Sequence, residues 1–131
     1  MVVSNRWILP DGVVDVLPAQ AQLLEAIRGR MLKLFDSWGY DLVIPPMLEF
    51  TDSLHSAAGE ALELLTFRTV DPLSGKTMGV RPDITPQIAR IDAHSLRREG
   101  PARLCYAGTV LHTRARDVLS SRTPISIGLE L

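Results

Sequence analysis

The chain has 131 residues, of which 46% are hydrophobic and 22% charged, with a net charge of -1. That composition fits one folded domain with a sizeable core and excludes an extended disordered segment. It also excludes a broad basic surface for nucleic acid, so binding of tRNA is not expected.

The opening MVVSNRWILP has no long apolar run before Pro10, so no signal peptide is read there. No stretch approaches the roughly 20 apolar residues that span a bilayer. The single cysteine, Cys105, cannot pair within the chain, which agrees with a reducing, cytoplasmic setting. Residues 10–12, Pro-Asp-Gly, turn the chain, and Pro18 suits a first helical position because its missing N–H has no partner there anyway. Leu24, Ile27, Met31, Leu34, Phe35 and Trp38 then recur at helical spacing, so an amphipathic helix is expected over 18–38, ended by Gly39.

A strand is expected over 40–44, stopped by Pro45-Pro46, with extended chain to Phe50. Residues 51–65 read either as a helix or, around 55–59, as a polar loop. Two strands, 66–70 and 77–80, flank a turn-rich Asp71-Pro72-Leu73-Ser74-Gly75-Lys76 and predict a hairpin. A second helix is expected over 85–98, with Thr85 as N-cap and Pro86 as its first residue. Strands follow at 102–111 and 125–131, separated by a polar loop that carries Arg114, Arg116 and Arg122. The order predicts an α+β fold, a largely antiparallel sheet flanked by helices. The last strand stops at Leu131 with no closing element, which reads as a chain cut off inside its sheet, one domain over 1–131.

The stretch GVRPDITPQIARI, residues 79–91, holds the first candidate chemistry. Asp83 and Thr85 stand two apart before Pro86, where a carboxylate and a hydroxyl can cap a helix. The same pair can accept hydrogen bonds from a substrate ammonium, charge-assisted at Asp83. Spacing leaves both readings open. Arg81 is read as structural, Lys76 as solvated and Cys105 as core. His55 and His94 have no metal-ligand spacing with each other or with Cys105, so no metal and no cofactor are assigned. The loop between His112 and Arg122 is suited to phosphate or carboxylate, or else is simply solvated. No Gly-rich phosphate loop and no nucleophile–base set is visible.

LPDGVVDVLP, LFDSWGYDLVIPPMLEF, FRTVDPLSGKTMGVRPDITPQIARIDAH, RLCYAGTVLHTR and the final GLEL together resemble the N-terminal part of the class II histidyl-tRNA synthetase catalytic core. The likeness is closer to the catalytically idle branch of that family, the regulatory subunits of ATP phosphoribosyltransferase. The resemblance implies a class II synthetase-like fold, of which this chain is the N-terminal portion only. It implies a histidine-binding set: Asp83 and Thr85 from an Arg-Pro-Glu-x-Thr corner, His112 where the synthetase has a substrate-gripping arginine, and Ser126 and Glu130 where it has a glutamine and a glutamate. Asp83 is shorter than the synthetase's acid by one methylene, Arg114 reverses a charge, and Ser126 departs from the glutamine usual even among the regulatory subunits. An imidazole is a poor substitute for a planar, permanently charged fork, so adenylate formation is expected to be lost. The implied role is a non-catalytic subunit that binds the short catalytic subunit of ATP phosphoribosyltransferase, senses histidine as feedback effector and self-dimerises. Two alternatives stand beside it: a divergent histidyl-tRNA synthetase, and a dimerisation module without ligand.

Overall fold

The computed structural model describes residues 7–55 and 59–131, without the side chain of His55. The start of the sequence and the centre of the loop expected at 55–59 lie outside the described residues.

The first helix, α1, runs Pro18–Ser37. Pro18 opens it and Leu17, in extended geometry, precedes it without a side-chain cap. Its C-terminus closes by two backbone bonds, Gly39 N–H to the Asp36 carbonyl at 2.9 Å and Tyr40 N–H to the Phe35 carbonyl at 3.1 Å. With Gly39 at φ 78°, this is the Schellman arrangement, which a left-handed glycine permits. None of its residues is buried.

The expected strand over 40–44 shrinks to β1, Asp41–Leu42. Strand β2 spans Leu48–Phe50, and the ambiguous stretch contains two short helices, α2 (Thr51–His55) and α3 (Glu60–Leu65). Strands β3 (Phe67–Val70) and β4 (Thr77–Val80) form the expected hairpin. Asp71 fastens its turn: the carboxylate accepts from Leu73 N–H at 3.1 Å and from the Ser74 hydroxyl at 2.6 Å. These bonds, that to Ser74 first, hold its carboxyl below the usual carboxylate range. Lys76 is more than solvated, lying 5.2 Å from the centre of the Phe50 ring.

The second helix is shorter and less regular than its periodicity suggests. Helix α4 covers Thr85–Arg90, and a π-helical turn, Ile91–Leu96, continues it. It ends at Arg97, which has the left-handed φ of 47°, before Gly100 is reached. Strands β5 (Leu104–Thr109) and β6 (Ile125–Glu130) complete the set.

The strands make two sheets, ordered β1-β5-β6 and β2-β4-β3. Three of the four pairings are antiparallel, and β1 with β5 is parallel. The core lies where α4 covers the first sheet: Ile84, Ile88, Leu104, Tyr106 and Val110 are buried together, with Val43, Leu96 and Ala102 against them. Cys105, between Leu104 and Tyr106 on β5 and therefore on the sheet's other face, is also buried, and burial, then Asp36 and Asp41, pushes its thiol up. No described helix is long and apolar enough to cross a membrane.

Candidate functional site

The corner between β4 and α4 is anchored by Arg81. Its side chain is buried, with Nε donating to the Thr109 carbonyl at 3.0 Å and Nη1 to the Pro45 carbonyl at 2.8 Å. Burial lowers its pKa, and the nearby Glu49 carboxylate works the other way. The Arg81 backbone N–H bonds to Met47, and its carbonyl accepts from Leu111. Arg81 therefore ties together three chain segments and is spent on structure. Its guanidinium also crosses the site of Gly108, where a Cβ would come within 2.5 Å of Nη2.

Asp83 follows. Its Oδ1 accepts from Ile84 N–H at 2.7 Å and, at a long 3.5 Å, from Thr85 N–H. Asp83 thus holds the turn into α4 through its own neighbours, and the helix has no side-chain cap. Thr85 is the first residue of α4 and makes no cap, and Ile84 holds the N-cap position. The Thr85 hydroxyl instead donates to Glu130 Oε1 at 2.9 Å and lies 3.2 Å from the Tyr106 hydroxyl. Because Thr85 has one proton to give, the Tyr106 O–H is the donor in the second bond. A directional chain results: Tyr106 to Thr85 to Glu130.

The register of β5 and β6 explains this meeting. Leu104, Tyr106 and Gly108 stand opposite Glu130, Gly128 and Ser126, so all six face α4. Gly128 leaves room for the Tyr106 ring, since a Cβ there would come within 2.4 Å of the Tyr106 hydroxyl. A cavity of about 230 Å³ flanks the Thr85–Glu130 pair, with Asp92 and Glu130 as its charged lining. Two carboxylates without a cation suit a basic ligand group.

The other two residues of the set lie apart from that pair. Ser126 shares the face of Glu130 but is four residues away, roughly 13 Å along a strand at about 3.3 Å per residue. It makes no side-chain hydrogen bond among the described residues. His112 lies beyond β5, and its Nε2 donates to the Pro82 carbonyl at 2.8 Å, because a carbonyl can only accept. Asp83, Thr85 and Glu130 are thus linked through Thr85, and His112 reaches the same corner from behind through Pro82. Tyr106 was not distinguished by its own sequence context. An aromatic residue directly opposite a strand glycine would have singled it out once the register was known.

A model of the histidyl-tRNA synthetase family matches residues 12–131. The chain belongs to that family. Among curated relatives, proteins named "ATP phosphoribosyltransferase regulatory subunit" from Stutzerimonas stutzeri and Saccharophagus degradans are 57% and 60% identical, over 100% and 97% of this chain. The chain spans about a third of their length, 33% and 32%. A crystal structure from Bacillus halodurans, described as an ATP phosphoribosyltransferase regulatory subunit/histidyl-tRNA synthetase, matches with a TM-score of 0.81 at 28% identity, covering 98% of this chain and 33% of that one. The apo histidyl-tRNA synthetase of S. aureus shares the fold, with a TM-score of 0.72 at 20% identity, over 93% of this chain and 32% of that one.

The histidyl-tRNA synthetase family core, in its N-terminal portion, is therefore the fold, as the sequence resemblance implies. Within that fold, position 112 carries an imidazole whose donor is already engaged by the main chain.

Proposed function

We propose that the chain is the N-terminal third of a non-catalytic regulatory subunit of ATP phosphoribosyltransferase, acting in histidine biosynthesis. The observation that carries this is His112. Where the resemblance puts the synthetase's arginine, the side chain donates to Pro82 and offers no bidentate fork to a carboxylate or an α-phosphate. The names of the relatives at 57% and 60% identity support the same reading.

In this reading the subunit binds the short catalytic subunit and responds to histidine. The histidine ammonium is held by Asp83, whose Oδ2 has no protein donor among the described residues. The ligand's imidazole is read by Glu130, which shares its Oε1 with Thr85. Ser126 plays a lesser part because of its distance along β6. Feedback follows if histidine binds one state of the complex better than the other. The uncovered apolar side of α1 supports self-dimerisation.

The full-length protein with its catalytic partner tests this. Histidine-driven pyrophosphate exchange by the pure subunit should be absent, and its presence would restore the synthetase reading. Asp83→Asn keeps shape and removes charge, so histidine inhibition of the complex should weaken about tenfold to a hundredfold. An unchanged inhibition curve would leave Asp83 with its turn bond to Ile84 alone.

A further inference from the structure

Four bonds run from the β4–α4 region to one short segment, residues 45–49. Arg81 Nη1 donates to the Pro45 carbonyl at 2.8 Å, and Arg81 N–H to the Met47 carbonyl at 3.0 Å. Gln87 Nε2 donates to the Pro46 carbonyl at 2.7 Å. Arg90, the last residue of α4, forms an ion pair with Glu49 on β2. The two prolines have no N–H, but their carbonyls still need donors, and side chains supply them. Asp83 and Thr85 lie between Arg81 and Gln87 in the chain, so both ends of the corner are pinned to the same segment.

The Glu49–Arg90 pair is sheltered from water. The Glu49 side chain is 9% exposed and that of Arg90 28%. Glu49 stands opposite Gly79 in the β2–β4 ladder. Arg81 follows Gly79 by two residues, so its side chain shares that face, and the Glu49 carboxylate acts on its guanidinium. One carboxylate thus serves two cations. Arg90 Nη2 meets Glu49 Oε1. Arg90 Nε and Glu49 Oε2 are buried and have no hydrogen bond among the described residues. Nε and Nη2 share one edge of the guanidinium, so the four atoms are the parts of a side-on fork with one arm engaged. Parting such a pair would leave two charges out of water, whereas an exposed pair parts at little cost.

We propose that Glu49 and Arg90 are positioning residues for the ligand corner: the pair aims α4 relative to residues 45–49 and thereby sets where Asp83 and Thr85 stand. Its consequence for histidine affinity rests on the function proposed above. Neither residue bonds to Asp83, Thr85 or Glu130 among the described residues, so both act through α4. That helix has six residues, too few to hold a direction by its own bonds. Ile88 packs it into the core, but apolar burial is non-directional. Gln87 near its start and Arg90 at its end are two fixed points, and two points define an axis.

The test separates aim from stability in the full-length protein. Glu49→Gln should lower the melting temperature, since Arg90 and Arg81 lose their carboxylate. Glu49→Met combined with Arg90→Met should restore it, because an apolar pair of similar volume commonly replaces a buried ion pair at no cost. Restored stability should not restore the corner. In the double variant, hydrogen exchange at the Gln87 and Ile88 amides, which bond to the Ile84 carbonyl, should run about tenfold or more faster than in the wild type, with the β5–β6 ladder unchanged. Histidine inhibition of the complex with the catalytic subunit should weaken about tenfold. Arg90→Lys keeps the charge and loses the fork, so it should fall between, and it carries the same readouts if the double variant does not fold. Arg98→Met, at the exposed pair with Asp41, should change neither. Wild-type exchange at Gln87 and Ile88 in a stable double variant would overturn the proposal and leave the pair with stability alone. Faster exchange with an unchanged inhibition curve would overturn its link to the ligand. A wild-type complex indifferent to histidine would instead overturn the function proposed above, and the exchange comparison would still decide the positioning.

Discussion

Helices α1 and α4 promise the same thing in sequence and deliver opposite results. α1 has 20 residues, a clear apolar stripe, and buries none of them. α4 has six residues and puts Gln87 and Ile88 fully inside. Apolar periodicity reports which side of a helix wants to leave water. It does not report whether this stretch of chain supplies the cover. On α1, Leu34 is 55% exposed, and Trp38, just past its end, is 68% exposed, so the stripe is an offered surface. On α4 the stripe is consumed by β5.

The sharpest way to break that contrast is to truncate one apolar residue in each region. Leu104→Ala should cost about 2–5 kcal/mol, the range for a buried large-to-small change. Ile27→Ala on α1 should cost less than about 1 kcal/mol. Urea unfolding at low protein concentration measures both. A cost at Ile27 equal to that at Leu104 would mean that α1 is covered in solution, and the cost would then vary with concentration.

Next in size is Gly128→Ala, which sharpens the contrast inside the buried region. The added methyl meets the Tyr106 hydroxyl, and overpacking of this kind costs about 1–3 kcal/mol. Pairing it with Tyr106→Phe should recover part of the loss, as read from the double-mutant cycle. Thr85→Val should cost about 1 kcal/mol through its two hydroxyl bonds. Thr85→Asn, a good N-cap residue, should fail to rescue it, because Thr85 is not a cap. Rescue by asparagine in a thermal melt would reverse that assignment.

The smallest effect belongs to the exposed β3–β4 turn. Asp71 has a folded-state pKa below its unfolded value, so its contribution is present above the unfolded pKa and is lost as pH falls through the folded one. The melting temperature of the native chain should therefore drop slightly more than that of Asp71→Asn between about pH 5 and pH 2.

What could be read in advance follows the same division between local and distant causes. Pro18 and Gly39 bracket α1 because capping geometry is written into single residues. The hairpin is visible because its turn formers sit between two short β runs. The parallel partner of Asp41–Leu42 is not visible, since pairing across such a distance is decided by packing rather than by neighbours. The same is true of the π-helical turn, which no propensity marks. At the site, spacing left Asp83 and Thr85 between cap and pocket, and the structure makes neither a cap: Asp83 bonds to the N–H of Ile84 in the turn, and Thr85 makes the sheet contact to Glu130. Glu130 entered only through family resemblance. Tyr106 needed the β5–β6 register, which exists only once the sheet is formed.

The two-residue strand β1 has a consequence for the order in which the molecule comes into being. Tyr40 and Cys105, which meet at the start of the β1–β5 pairing, are 65 residues apart in sequence. The β2-β4-β3 sheet, by contrast, closes within a short stretch and can be assembled while β5 and β6 are still inside the ribosome. Domains emerge N-terminus first during synthesis, so α1 and β1 must wait, with their apolar side chains unshielded, until β5 leaves the exit tunnel. A nascent chain halted between β4 and β5 would carry a finished hairpin and an unclaimed helix, the form in which a chaperone would meet this protein.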